Sequence, residues 1–425
     1  MQNRNFAPTY CSSGSSRLTC FHGTRAADIG RDSLCIAQGA LFNRQNNKYA
    51  VDCEVRRPER TQLKQGITAF EEMKEHWYET GAPIVFNRVV DIGLGLISND
   101  QPGTVNSDAA SSPRYTVLIK REGNTNFWHN LMEIWSMAYS LDVLRMSREN
   151  TSAEDPSSDA SRPLLTTSAL AHDTQVVVVD DEPEGPLYEL WSLLTGSHPV
   201  RLSAIRDEPD KYEHLVSGLQ NIIVPLPGAA NPLWQNDWDD RDCTTSVNLK
   251  VFIDRIKRHY DLPAPKKSSS WFKRKLELTL IDRKGSRKLV GADQLLRVIQ
   301  SKFPEVNAKM VDLGDMSFTE QLKLIQQTDI LVGVHGAGLT HTMFMRPGHG
   351  AVIEIRPPEM DHKGFKNLAK MMGIHYYTTR GELVTGKGKS KRDEWHFADI
   401  SVEETSLMEL VQEAVKTLSE EGKSS

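Results

Sequence analysis

Apolar residues fall along this chain in short runs separated by polar turns, and in the second half those runs alternate between two periods. Leu276 to Ile281, Ala308 to Leu313, Ile330 to Val334, Ala351 to Ile355 and Ile374 to Thr378 are continuous and rich in branched side chains, as strands buried on both faces are. Between them lie segments with helical spacing: Gln294 to Ser301, a stretch opening at Ser317, another at Leu339, and Phe365 to Met372. Ser317-Phe318-Thr319-Glu320 has the form of a capping box. This alternation predicts the α/β class, an open parallel sheet with helices on both faces.

The first half is less regular. It predicts a helix near Phe70 to Tyr78, strands at Ile84 to Val90, Tyr115 to Ile119, Val176 to Val179 and Ile222 to Leu226, and helices at Trp191 to Thr195 and Val251 to Tyr260. The polar stretches Asn99 to Arg114 and Ser147 to Arg162 read as loop insertions. The basic stretch Pro263 to Ser270 makes a boundary. The expected organisation is a cysteine-containing segment (1–60), an N-terminal lobe (61–262), a C-terminal lobe (271–400), and a terminal helix and tail (401–425). That helix would open on a second capping box, Ser401 to Glu404, and pack on its own domain through Leu407, Leu410, Val411, Ala414 and Leu418.

Composition bounds the partners. With 39% apolar and 25% charged residues, the 425-residue chain has the balance of a soluble globular protein, and a net charge of −5 gives no electrostatic reason to bind nucleic acid. No apolar run approaches the ~20 residues that cross a bilayer, and Met1 to Tyr10 is too polar for a signal-peptide core. Four of the five cysteines, Cys11, Cys20, Cys35 and Cys53, precede residue 54, and none forms a CxxC pair. They imply two disulfides, with three possible connectivities, in an oxidising compartment; free thiols in a cytosolic protein are the alternative. The sequon Asn150-Thr151-Ser152 fits lumenal exposure. The expected location is therefore the lumen of the secretory pathway, endoplasmic reticulum or Golgi, with the leader or membrane anchor missing from this chain.

In an open parallel sheet, ligands bind at the carboxyl ends of strands. The first strand here ends in a cationic turn, Asp282-Arg283-Lys284-Gly285-Ser286-Arg287-Lys288, and Arg283 and Arg287 could pair with diphosphate oxygens in fork geometry. The third ends at His335-Gly336-Ala337-Gly338, where backbone N–H groups through Leu339 could receive an anion at a helix start. The fourth contains Glu354, expected to accept from ribose hydroxyls. In the other half, Asn126 to Glu133 places His129 and Glu133 four apart on a helix, suited to a general base and the carboxylate that orients it. Each has a plainer alternative: a solvated turn, helix–sheet packing, a Glu354 satisfied by Arg356, or a hydrogen bond along a helix. Gly381 to Gly388 misses a P-loop at its last position, and Asp237-Trp238-Asp239 reads as chance in an Asp-rich turn. GVHGAG is not GxGxxG, and neither GxSxG nor HExxH occurs.

The block TDILVGVHGAGLTHTMFMRPGHGAVIEIRP resembles the C-terminal signature of glycosyltransferase family 61, which includes EGF-domain-specific O-linked N-acetylglucosaminyltransferases and plant xylan arabinosyl- and xylosyltransferases. LTLIDRKGSRKL resembles that family's strand and arginine turn, and NFWHNLMEIW its segment with a histidine followed four residues on by an acid. The insertions and early cysteines look like fungal members. The resemblance covers roughly residues 115 to 380. It implies a GT-B architecture, two Rossmann-like lobes with parallel sheets facing across a cleft, and inverting transfer of a sugar (N-acetylglucosamine or xylose) from a UDP-sugar to a protein or glycan hydroxyl. It also implies no cofactor and no obligatory metal. Where the EGF-type enzymes carry Asp-Tyr-Asp, this chain has Gly196-Ser197-His198. The alternatives are an inactive glycan-binding pseudotransferase and a Rossmann-type oxidoreductase.

Overall fold

A computed structural model describes residues 9–23, 32–75, 79–97, 114–148, 163–231, 233–235, 237–262, 274–385 and 394–424. The chain divides into two units, Met1–Gln235 and Asn236–Ser425. The division precedes the basic stretch at which the sequence suggests a boundary; that stretch, most of both polar insertions and the sequon lie outside the described residues.

Of the early cysteines, Cys20 and Cys35 lie in the first unit's large sheet, and Cys11 in a separate two-stranded one. The strands of the large sheet are β1 (Arg17–His22), β2 (Ser33–Asn43), β3 (Lys48–Asp52), β4 (Val90–Gly93), β5 (Arg114–Ile119), β6 (Thr174–Val178), β7 (Val200–Arg201) and β8 (Leu219–Val224). They run in the order β4-β3-β2-β8-β5-β6-β7, with β1 also on β2. β8, β5, β6 and β7 are parallel, but β2 is antiparallel to β8, β3 and β1. The sheet is therefore mixed where a parallel one was expected. The connection from β2 to β3 is too short for a crossover, and short connections pair strands antiparallel. Two disulfides tie this region, Cys11–Cys53 and Cys20–Cys35; the second joins residues directly opposite on β1 and β2.

The run expected as a strand at Ile84 to Val90 is mostly a helix, α1 (Ala82–Val89), with Pro83 in its first turn. Its buried residues, Ala82, Val85, Phe86 and Val89, recur at three- and four-residue intervals, so helical periodicity outweighed β-branching. Only a 3₁₀ turn, Phe70–Glu72, forms within the expected helix at Phe70 to Tyr78, whose residues 76–78 lie outside the described ones. Another 3₁₀ turn, Tyr188–Ser192, stands near Trp191 to Thr195. α2 (Phe127–Met146) opens at Asn126, whose side chain accepts from the N–H groups of Trp128 and His129.

The second unit begins with α3 (Val247–His259) and continues as the period-switching pattern predicts: β9 (Leu276–Asp282), α4 (Ala292–Lys302), β10 (Val306–Asp312), α5 (Phe318–Gln327), β11 (Ile330–Val334), β12 (Ala351–Arg356), α6 (Gly364–Met372), β13 (His375–Arg380) and α7 (Glu404–Ser424). All five strands are parallel, in the order β10-β9-β11-β12-β13. The order reverses between β9 and β11, and a crevice at such a switch point is where doubly wound sheets bind ligands. The capping box at Ser317 and Glu320 is present. The one at Ser401 is not: Ser401 ends a short strand, Asp399–Ser401, and the helix starts at Glu404. Leu407, Val411, Ala414 and Leu418 bury that helix in the unit's own core.

Candidate active site

In the second unit the switch point gathers the cationic turn and the Gly-rich turn. Gly336 holds φ 154°, and a Cβ there would lie 2.3 Å from an Arg283 terminal nitrogen and 3.2 Å from one of Arg287. Both guanidiniums thus converge on backbone that only glycine leaves open. Arg283 Nε donates to the Ser286 carbonyl at 2.9 Å, and an Arg287 terminal nitrogen donates to the His335 carbonyl at 2.9 Å. Arg287 itself is left-handed, φ 56°, a conformation that costs a bulky side chain about 1–3 kcal/mol. Burial pushes both guanidiniums down from their usual range, Arg287 to about 10 with Arg283's charge adding to the effect. Two half-buried like charges are an arrangement that a bound anion relieves. Lys284 turns away to Asp315 and Asp312.

The helical segment after Gly336 is a 3₁₀ helix, Ala337–Phe344. Ala337 and Gly338 are half-buried, whereas the Leu339 N–H donates to the Gly336 carbonyl at 2.9 Å. Leu339 therefore supplies apolar burial rather than the ligand donor expected of it.

Behind the turn lies a buried polar chain. Glu354 is 0% exposed. Its Oε1 is 2.5 Å from His335 Nδ1, and its Oε2 accepts from Arg356 Nε and the Tyr376 hydroxyl. Burial alone would raise its pKa, but the His335 hydrogen bond and charge, then Tyr376 and Arg356, hold it below the usual carboxylate range. Burial pushes His335 down against Glu354's pull, and the Glu354 carboxylate accepts from its Nδ1–H. Glu354 thus orients His335 instead of facing outward to a ribose, and the plainer alternative of satisfaction by Arg356 accounts for part of it. The His335 ring packs edge-on to His362, centroids 5.3 Å apart, and His362 Nε2 is 2.7 Å from Asp237 Oδ2.

In the first unit, His129 has a different partner from the expected one. Its Nδ1 lies 3.1 Å from Glu122 Oε2, and the Glu122 side chain is 1% exposed. Glu122 follows Arg121, whose guanidinium is locked to Asp180 Oδ1 at 2.7 Å, so the end of β5 is fixed against the end of β6. Trp234 packs on His129, ring centroids 4.3 Å apart. Glu133, the residue four along the helix, is turned inward, and its Oε1 accepts from the Glu122 N–H at 2.8 Å. Burial, then the charge of Glu122, raises its pKa well above the carboxylate range. It faces the Glu122 backbone and not His129.

Residues 210–352 match the family model for Glycosyltransferase 61. Over that segment the chain is similar to glycosyltransferase family 61. The matched segment contains Arg283, Arg287 and His335 through Leu339. The chain is 23% identical over 266 residues to an EGF domain-specific O-linked N-acetylglucosamine transferase of Drosophila melanogaster, covering 62% of this chain and 45% of that protein. It is 37% identical over 109 residues to a protein of the same name from Mus musculus, 25% and 20% of the two chains. A β-1,2-xylosyltransferase of Arabidopsis thaliana is 24% identical over 286 residues, 59% of this chain and 50% of that one. The chain spans half or less of the length of each of these relatives.

Glu122, Asp237, His362 and Tyr376 carry parts of these two networks that the sequence did not assign. Glu122 precedes the helix, so helical spacing cannot reveal it. Asp237 was set aside as chance, yet it is 5% exposed and holds His362. Tyr376 sits two strands from His335, at a β12–β13 register that only pairing defines. The Asp237-Trp238-Asp239 turn was the one available signal.

Proposed function

We propose that this chain is an inverting glycosyltransferase that moves a sugar, N-acetylglucosamine or xylose, from a UDP-sugar to a hydroxyl of a protein or glycan. The observation that carries the reading is the convergence of Arg283 and Arg287 on Gly336 at the second unit's switch point. A departing diphosphate needs charge stabilisation of this kind. In this reading the two guanidiniums and the backbone of Gly336 to Gly338 hold the diphosphate. His335, set by Glu354, completes the wall. The fixed cations supply charge that a divalent metal supplies elsewhere, so turnover persists in a chelator.

His129 is the general base that takes the acceptor's proton, and Glu122 holds its Nδ1 so that Nε2 faces the hydroxyl. Attack is direct and no covalent enzyme intermediate forms. A GT-B arrangement, with one substrate handled by each unit, is part of the same reading. Both disulfides fit the lumen of the secretory pathway, endoplasmic reticulum or Golgi. Among the described residues no helix is long and apolar enough to cross a membrane.

The test is UDP release from UDP-N-acetylglucosamine and UDP-xylose in the presence of EDTA, with and without hydroxyl-bearing acceptors, and assignment of the product anomer by NMR. Release with inversion is expected. Release from neither donor, or retention of configuration, counts against the proposal.

A further inference from the structure

The Asp237-Trp238-Asp239 turn reads as chance in the sequence, yet the second unit anchors it on both sides. The Lys363 N–H donates to the Asp237 carbonyl at 2.7 Å, Asn367 Nδ2 to the Asp239 carbonyl at 2.9 Å, and Lys370 Nζ to the Arg241 carbonyl at 2.6 Å. These bonds tie the turn to α6. The Asp237 carboxylate holds His362 Nε2, and His362 Nδ1 accepts from the Gly364 N–H at 3.2 Å. Gly364 leaves that ring its place, since a Cβ there would lie 2.5 Å from His362 Cε1. The Trp238 indole meets the fixed imidazole edge-on, with centroids 5.3 Å apart. Of the tryptophan side chains described, Trp128, Trp135 and Trp191 are buried and Trp234 is half-buried, whereas Trp238 is 57% exposed. A single exposed apolar residue is ordinary. What sets this one apart is its anchoring and its place.

That place is beside the anion site. β11 lies between β9 and β12. Arg283 and Arg287 follow β9, whereas His362 follows β12 and its ring packs on His335 at the head of the Gly-rich turn. A diphosphate on Gly336 to Gly338 therefore has the guanidiniums on one flank and the His362–Trp238 pair on the other. We propose that Trp238 is the platform on which the base of the bound nucleotide stacks, with Asp237 and His362 as its positioning residues. A nucleobase presents a flat π face, and stacking on an aromatic ring needs no hydrogen-bond partner. The sugar end of a donor carries hydroxyls that do need partners, and here Asp240 is paired with Lys366 and Asp361 with Lys363. Because the backbone under the indole is already ordered, little freedom is lost when the base binds. The inference rests on the transferase reading for the diphosphate and adds to it the recognition of the nucleoside.

Calorimetric titration of the full chain with UDP, UDP-xylose and inorganic pyrophosphate, with EDTA present, tests this. Trp238→Ala should bind UDP about tenfold more weakly and pyrophosphate as the wild type does, whereas Arg283→Ala should weaken both. Trp238→Phe keeps a ring and should recover most of the UDP affinity, and circular dichroism checks that each variant folds. Equal UDP affinity in Trp238→Ala and the wild type, an equal loss for pyrophosphate, or a loss confined to UDP-xylose would overturn the proposal. The last of these would give the indole to the donor's sugar instead. UDP binding that depends on Arg283 but not on Trp238 sinks this proposal and leaves the diphosphate site standing. If the wild type binds neither UDP nor pyrophosphate, the diphosphate site itself fails and the platform with it.

Discussion

Glycine at position 336 is required by its neighbours as much as by its own backbone. Gly336→Ala would combine a φ that side chains rarely adopt with a Cβ driven into Arg283. UDP affinity should fall by about tenfold or more, measured by calorimetry, because the two guanidiniums can no longer close on the turn. His129 and its acids give a second residue-scale expectation. His129→Ala should lower turnover by about 10²–10⁴-fold at saturating donor. Glu122→Gln should lower turnover at saturating donor, whereas Glu133→Gln, which keeps an acceptor for the Glu122 N–H, should change it little. Equal turnover in the two Gln variants would show that Glu122 does not position the base. Sequence placed His129 correctly on a helix near an acid but chose the acid by helical spacing. The partner chosen by folding comes from the strand end before the helix.

At the scale of elements, the buried Glu354 on β12 links the sheet's centre to His335 and Tyr376. Removing one member of a buried charged network costs about 3–5 kcal/mol, so Glu354→Ala should lower the unfolding free energy by that order. Glu354's folded pKa is depressed. Its stabilising contribution is therefore present above the unfolded carboxylate range and is lost as pH falls through the folded value. Denaturant unfolding of wild type and Glu354→Gln should accordingly converge at acid pH. Divergence of the two curves there would refute this linkage. The five parallel strands of this unit were legible because strands buried on both faces are continuous apolar runs between helical periods. In the first unit, α1 was misread because Ile84 to Val89 is apolar enough to pass for a strand, and only the spacing of what is buried separates the two. The antiparallel joins of β2 were hidden for another reason: long-range pairing leaves no local pattern.

For the whole molecule, both disulfides lie in the first unit, closing separations of 42 and 15 residues. Constraint of the unfolded chain is worth about 3–4 kcal/mol for each. Reduction should lower the thermal transition of the first unit and leave the second unchanged; calorimetry under dithiothreitol reads both, and equal shifts would contradict the division at Gln235. The resemblance to glycosyltransferase family 61 was legible from the block around His335 because glycine, histidine and arginine there are fixed by backbone geometry and charge. The pairing within each network depended on tertiary structure and was not legible. The account turns on the anion site at the switch point of the second sheet. Its most direct test is calorimetric titration of UDP into the wild type and Arg283→Ala, with EDTA present. We predict one UDP bound per chain and a loss of affinity of about tenfold or more in the variant. Absence of UDP binding, or equal affinity in the two proteins, would contradict it.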